Sequence, residues 1–294
     1  MAAILLLAAP LVQRLRESIC ARVAALRARG IAPKLAIVDA TGDPASATYA
    51  KMKMRQAGKL GIDTSFYGVN PFSDDNRESF LELLGDLGQD PRVHGIFIER
   101  PMPRELELCE WLSLLPPDKD VEGIHPVNIG KMFLDLPNVP CEFKPTTALA
   151  CVELLKFYNV PLQGSHAVVI GRSITVGRPL SFMLLHENAT VTICHSYTSD
   201  LRQITSEADI VISATGHRDL LDDTFISSTA TVIDVGTTYN EDGTVCGDVQ
   251  YESVVNKAHM LTPHIGGLGP VTTALLLQNA VRAAELSAGA PCLQ

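Results

Sequence analysis

From the N-terminus to about residue 115, segments of helical and strand periodicity alternate, and that beat restricts the chain to few architectures. Leu11, Leu15, Ile19, Val23 and Leu26 recur at helical spacing, and Gly30 ends the run. Lys34 to Ala40 reads as an apolar strand, followed by a Thr41-Gly42-Asp43-Pro44 turn with Asp43 or Ser46 as a cap. A helix over 45–60 ends at Gly61. Then come a strand over 62–69, a helix over 73–87 capped by Ser73, a strand over 95–98 and a short helix over 105–114. This order predicts an α/β fold with a parallel sheet and flanking helices. Residues 115–140, with several Pro and Gly, read as a connector near a site.

The second half repeats the alternation. Helices are expected over 146–158, 180–186, 199–207 and 271–286, and strands over 167–170, 190–194, 210–214, 231–235 and 244–249. A turn falls at Glu241-Asp242-Gly243, and 261–270 is rich in Gly and Pro. The strand Ala167–Ile170 runs into Gly171-Arg172-Ser173-Ile174-Thr175-Val176-Gly177-Arg178-Pro179. Strand, tight turn and helix in that order suit a phosphate resting on free N–H groups at the helix start. The stretch lacks the middle glycine of G-x-G-x-x-G and is one residue longer, so an ordinary βα turn also fits. The next strand ends Ile193-Cys194-His195-Ser196, without the carboxylate that holds the ribose hydroxyl of NAD. Arg172 and Ser196 would instead meet a 2′-phosphate, which favours NADP over NAD; the alternative is a solvated loop arginine.

Composition narrows the class. A net charge of −9 with no long Lys/Arg run argues against nucleic acid. Seven scattered cysteines, odd in number and without a C-x-x-C pair, suit free thiols in a reducing cytoplasm. No metal-ligand cluster stands out. The apolar Ala2–Val12 segment lacks a basic flank and is too short to span a bilayer, so it reads as a buried strand and helix start, with no membrane role.

Tyr49 and Lys53 share one helix face, beside Lys51 and Arg55. Glu99 ends a strand before Arg100-Pro101-Met102-Pro103. Asp120 and Glu122 lie in Pro117-Asp118-Lys119-Asp120-Val121-Glu122-Gly123-Ile124-His125-Pro126. Lys53, Glu99, Asp120 and Glu122 can meet in one cleft at the carboxyl ends of the strands, where α/β sheets bind ligands. The bland alternative is a proline-rich loop with its charges in water.

Tyr49-x-x-x-Lys53, Pro101-x-Pro103, Lys119-Asp120-Val121-Glu122-Gly123, Gly171-Arg172-Ser173, Val176-Gly177-Arg178-Pro179, Val232-Ile233-Asp234-Val235-Gly236, Gly247-Asp248-Val249 and Gly266-Gly267-Leu268-Gly269-Pro270-Val271-Thr272 follow in that order. Together they resemble the methylenetetrahydrofolate dehydrogenase/methenyltetrahydrofolate cyclohydrolase family, the FolD-type bifunctional proteins, over nearly the whole chain. The resemblance implies a folate-binding catalytic domain at 1–144 joined by the last helix at 270–294. A Rossmann domain at 145–269 binds NADP, with a cleft between the two. It implies a cytoplasmic homodimer that oxidises 5,10-methylenetetrahydrofolate and hydrolyses the methenyl product to 10-formyltetrahydrofolate.

By motif, Tyr49 would stack on folate and Lys53 would be the general base, with Glu99 beside it. Asp120, Glu122, Gly266, Gly267 and Pro270 would complete the substrate site. Gly171, Arg172, Ser173, Val176, Gly177, Pro179, His195, Ser196, Thr215 and Gly236 would hold the cofactor. Several positions depart from the family pattern. Glu99 stands where the family has Gln, and Glu122 where it has Asp. Pro145-Thr146-Thr147-Ala148-Leu149-Ala150 replaces its Pro-Cys-Thr-Pro-x-Gly, and Pro263-His264-Ile265-Gly266-Gly267 its Pro-Val-Pro-Gly-Gly. A carboxylate at 99 favours a protonated lysine and a cationic product, so it predicts retained oxidation and weaker hydrolysis. The competing readings are a non-catalytic or substrate-shifted relative that binds folate or NADP as a dimeric binding protein, and a shikimate-type dehydrogenase.

Overall fold

The computed structural model describes residues 2–41, 44–69, 76–100, 102, 109–239 and 245–290. The expected turn at 42–43, the Ser73 cap, Pro101, Pro103, the 241–243 turn and Cys292 lie outside the described residues. In chain order the elements are β1 (Ile4–Leu5), α1 (Ala8–Ala28), β2 (Lys34–Asp39), α2 (Pro44–Lys59), β3 (Asp63–Gly68), α3 (Asn76–Gln89), β4 (Gly95–Ile98), α4 (Pro126–Leu134), α5 (Thr146–Phe157) and β5 (His166–Ile170). They continue as α6 (Gly177–His186), β6 (Thr190–Cys194), α7 (Leu201–Ser206), β7 (Ile210–Ser213), β8 (Thr231–Asp234), β9 (Thr238–Tyr239), β10 (Val245–Cys246), α8 (Tyr251–Val254), β11 (Met260–Leu261) and α9 (Leu268–Ser287). No described helix is long and apolar enough to cross a membrane.

The chain forms two compact units. One comprises Arg14–Lys144 and Thr273–Gln294; the other comprises Met1–Gln13 and Pro145–Thr272. In the first, β3, β2 and β4 form a parallel sheet in that order, with β2 central. Alternate side chains of a strand point to opposite faces. Leu35 and Ile37 therefore enter a core with Ile19, Val23 and Leu26 of α1 and Leu277, Ala280 and Val281 of α9. Ala36 and Val38 enter another with Phe80 and Leu84 of α3 and Trp111. With both faces covered, β2 must be apolar from Leu35 to Val38, which is why its sequence shows a run rather than an alternation.

The second unit holds a parallel sheet of order β1-β11-β8-β7-β5-β6. β5 has β6 on one side and β7 on the other, so the strand order reverses at β5. One expectation is corrected here. Residues 1–13 do not join the first domain, because Ile4 and Leu5 pair with Met260 and Leu261 at the sheet edge. The segment is also not wholly buried: Ile4 and Leu7 are exposed, and Leu6 alone among its leucines before residue 10 is fully covered. The 115–140 connector contains a helix, α4. Pro126 occupies its first turn, and the His125 side chain accepts from Val127 N–H.

Candidate active site

In the first unit the site grows from the end of β4. Glu99 N–H donates to Val38 O at 2.8 Å, which fixes the carboxyl end of the strand. The following loop returns beside it: Ile96 pairs with Asp120, and Ile96 N–H donates to Lys119 O at 2.8 Å. Lys119 anchors this return by donating to Leu87 O and Asp90 O. From α9, Asn279 Nδ2 donates to Val121 O at 2.8 Å. Three elements thus bring residues 99 and 119–123 together.

Lys53, on α2, donates to both oxygens of Glu99 at 2.7 and 2.8 Å and lies 4.8 Å from the centre of the Phe97 ring. The two side chains are 18% and 6% exposed, so the pair is largely shielded from water. Burial pushes the Glu99 carboxyl up, against the pull of Lys53. Tyr49 sits half-buried on the same helix, one turn before Lys53. Glu122 is pushed up to about 7, chiefly by burial and against the charge of Arg100, whose Nε lies 3.7 Å from Glu122 Oε1. Asp120, Glu99 and Lys53 also act on Glu122. The arrangement is a compact group of two cations and several carboxylates at the strand ends.

Asp120 departs from its expected role. It is fully buried, and its oxygens accept from Gly123 N–H, His125 N–H and Asn128 Nδ2 at 3.0, 2.7 and 2.8 Å. Its carboxylate is used to fold the 120–128 loop, which leaves Glu122 as the acid of this segment able to meet a substrate. Arg100, packed 5.6 Å from the Trp111 ring, and Asn279 were not legible as site residues. The only sequence signal for Arg100 was its place beside Glu99.

In the second unit the Gly171–Pro179 turn leaves β5 where the strand order reverses, the place where doubly wound sheets bind ligands. Gly171 has φ +118°, and a Cβ there would overlap Ala214 O; a Cβ on Gly177 would overlap Gly171 O. The glycines let the turn close on the end of β7 and on itself. Ser173 Oγ accepts from Val176 and Gly177 N–H at 3.1 and 3.3 Å, so it fills part of the helix terminus while keeping its own O–H as a donor. Pro179 is buried, whereas Arg172 and Ser196 are exposed. The Arg172 guanidinium lies 5.6 Å from the Tyr197 ring, and His195 Nδ1 accepts from Tyr197 N–H. An exposed cation and hydroxyl, with no carboxylate at the end of β6, fit a dinucleotide bearing an extra ribose phosphate. Thr215 and Gly236 lie just past the ends of β7 and β8. Gly266 (φ +80°) and Pro270 are exposed, Gly267 is buried, and Gly266 O accepts from Ala8 N–H at 2.9 Å.

A parallel three-stranded unit carrying a Lys–Glu pair and a doubly wound unit suited to a dinucleotide define a two-unit α/β class of nucleotide-binding protein. The comparisons with known proteins specify it further. The family description "tetrahydrofolate dehydrogenase/cyclohydrolase, NAD(P)-binding domain" matches residues 145–288, and the catalytic domain of the same family matches residues 6–122. The chain belongs to the tetrahydrofolate dehydrogenase/cyclohydrolase family. It is 40% identical over 272 residues to the bifunctional protein FolD of Nitrosomonas eutropha, covering 92% of this chain and 90% of that one. It superposes on the Campylobacter jejuni FolD methylenetetrahydrofolate dehydrogenase/cyclohydrolase with TM-score 0.91 and 37% identity, covering 97% and 99% of the two chains. The Trypanosoma brucei FolD, solved with NADP and an inhibitor, gives TM-score 0.91 at 29% identity, covering 99% and 100%.

Proposed function

We propose that the chain oxidises 5,10-methylenetetrahydrofolate to 5,10-methenyltetrahydrofolate with NADP and hydrolyses the product to 10-formyltetrahydrofolate, in one-carbon folate metabolism. The observation that carries this reading is the shielded Lys53–Glu99 pair at the end of β4, within a chain of this family. NADP, when bound, accepts the hydride. Arg172 and Ser196 hold its 2′-phosphate, and the Gly171 turn admits its backbone.

Tyr49 stacks on the substrate's ring system, and Glu122 accepts from its pterin amine. Oxidation leaves a cation, which the Glu99 charge stabilises in a site shielded from water. Hydrolysis needs a base, and Lys53 takes the proton of the attacking water once its ammonium has lost one. Deprotonation removes the charge that Lys53 sets against Glu99 and leaves a shielded carboxylate without its counter-ion, so hydrolysis is the slower of the two activities. Asp120 shapes the loop that presents Glu122. Lys53 and an intact phosphate turn weigh against a non-catalytic binding role.

We further assign the chain to the cytoplasm as a homodimer. Free Cys20, Cys141, Cys151, Cys194 and Cys246 support a reducing compartment, and sedimentation of the purified chain tests the dimer. The primary test is spectrophotometric: methenyltetrahydrofolate should appear from methylenetetrahydrofolate with NADP and more slowly with NAD. No absorbance change with either cofactor overturns the reading.

A further inference from the structure

The Gly247-Asp248-Val249 stretch has had no role so far, yet it closes on the strand ends of the six-stranded sheet. Asp248 is fully buried. Its Oδ2 accepts from Ser213 Oγ, Thr215 N–H and Thr215 Oγ1 at 2.8, 2.7 and 2.9 Å. Its own N–H donates to Asp234 Oδ1 at 3.0 Å, and Gly236 N–H donates to the same oxygen at 3.0 Å. Asp234 Oδ2 takes Val249 N–H at 3.0 Å. The carboxylates interlock with the backbone: a Cβ on residue 236 would overlap Asp248 Oδ1, and one on residue 247 would overlap Asp234 Oδ2. One pair of aspartates therefore fixes the loop after β7, the loop after β8 and residues 247–249.

The partners just named are neutral N–H and O–H groups. Burial, reinforced by the Asp248 charge, raises Asp234 to about 6. Asp248 Oδ1 is buried with no hydrogen-bond partner among the described residues. Holding a carboxylate this way costs several kcal/mol, and an asparagine would offer the same accepting oxygen without the charge. The charge thus adds something that the hydrogen bonds alone do not require. Its location suggests what. β7 and β8 lie on the opposite side of β5 from β6. In a doubly wound sheet the two mononucleotide halves of a dinucleotide fall on either side of the reversal point. Arg172 and Ser196 serve the β5–β6 side, which leaves the ends of β7 and β8 to the nicotinamide half. That half is cationic when oxidised and neutral when reduced.

We infer that Asp248, held by Asp234, is a positioning residue that sets Thr215 and Gly236 for the nicotinamide half, and that its charge favours the oxidised cofactor over the reduced one. The inference rests on the NADP-dependent oxidation proposed above. Asp248→Asn keeps the accepting oxygen and removes the charge. Ser213→Ala removes one of the three bonds and keeps the charge. Calorimetric affinities for NADP⁺ and NADPH, thermal midpoints, and cofactor-free hydrolysis of methenyltetrahydrofolate are measured for the unmodified chain and both variants.

Asp248→Asn should weaken NADP⁺ by about tenfold and NADPH by less than about threefold, with hydrolysis retained. Ser213→Ala should weaken both forms alike, by about threefold, through looser placement of Thr215. Equal or absent weakening of the two forms in Asp248→Asn overturns the charge assignment. A fall in thermal midpoint and hydrolysis with unchanged cofactor affinity shows a purely structural role and overturns the positioning. If Asp248→Asn does not fold, Ser213→Ala decides: unchanged affinity overturns the inference, and weaker affinity at an unchanged midpoint supports it. An unmodified chain that binds neither form overturns this inference and the proposed function together, whereas an unmodified chain that turns over NADP isolates any failure to Asp248.

Discussion

Glu99→Gln is the most informative single change. Lys53 reaches both carboxylate oxygens at 2.7 and 2.8 Å, and the side chains are 18% and 6% exposed, so water screens the pair weakly. A hydrogen bond to a charged group contributes about 1.5–3 kcal/mol, against about 0.5–1.5 kcal/mol for a neutral one. Glutamine keeps the shape and one accepting oxygen but not the charge. Lys53 must release a proton to serve as the base, so the change lowers that barrier by about 1–2 kcal/mol, or roughly five- to thirtyfold in hydrolysis rate. Oxidation loses a charge that stabilised the developing cation and should not rise. Both activities are assayed on one preparation, by the gain and the loss of methenyltetrahydrofolate, with the folate KM as a check on binding. Hydrolysis that is unchanged or slower in Glu99→Gln at an unchanged KM refutes the argument. Lys53→Ala should abolish hydrolysis in both backgrounds.

Three further changes probe other parts of the molecule. Glu122 has an ordinary value of 4.5 and is pushed up to about 7. Within that window the folded chain holds a proton that the unfolded chain has released. Stability therefore falls as pH rises through it, by about 3 kcal/mol in full. Asp234, raised to about 6, adds a fall of the same sign. Urea midpoints at about pH 5 and about pH 8 should differ less in Glu122→Gln than in the unmodified chain, and equal differences reject the assignment. Arg282 bonds Glu142 at 2.7 Å and Glu285 at 3.3 Å while only 7% exposed. Arg282→Ala takes a shielded cation away from Glu142, while Glu285 keeps its two bonds to Arg22, and should cost about 3 kcal/mol by chemical denaturation. Arg172→Ala should narrow the NADP:NAD ratio of kcat/KM by about tenfold, mainly through the KM for NADP; an unchanged ratio would place the phosphate elsewhere.

The elements that buried side chains dictate were legible, and those fixed by distant partners were not. The strand over 95–98 and the helix starting at 146 appear where periodicity places them, because their apolar residues face a core. β9 and β11 are two residues each and exist through pairing, which leaves no local pattern to read, whereas β1 and β10 fall inside stretches read as strands. Helix α4 hid in a segment read as a connector because of its Pro and Gly, although proline at a first turn is a helix start signal. In the site, charge and spacing brought out Lys53, Glu99 and Glu122. They could not separate Asp120 from Glu122, because both are acids two residues apart, and only the backbone donors of 123 and 125 show which one is consumed internally. Ser173 has a second use that its place in the turn did not show, since its oxygen accepts from the start of its own helix.

The pairing of β1 with β11 has a consequence for how this protein is made. The first strand leaves the ribosome early, yet its partner at Met260 is synthesised almost a chain length later. The other unit waits longer still, since Leu276, Leu277, Ala280, Val281 and Ala284 complete its core from the final helix. Neither half is complete before residues 260–284 have been made, and apolar surface on both stays uncovered until then. Contacts so far apart in sequence slow folding and prolong exposure to aggregation. A premature stop before α9 would therefore yield a chain dependent on holdase chaperones rather than a working half-enzyme. Circular permutation that links residue 294 to residue 1 would place β1 after α9, much nearer β11 in sequence, and should shorten that wait.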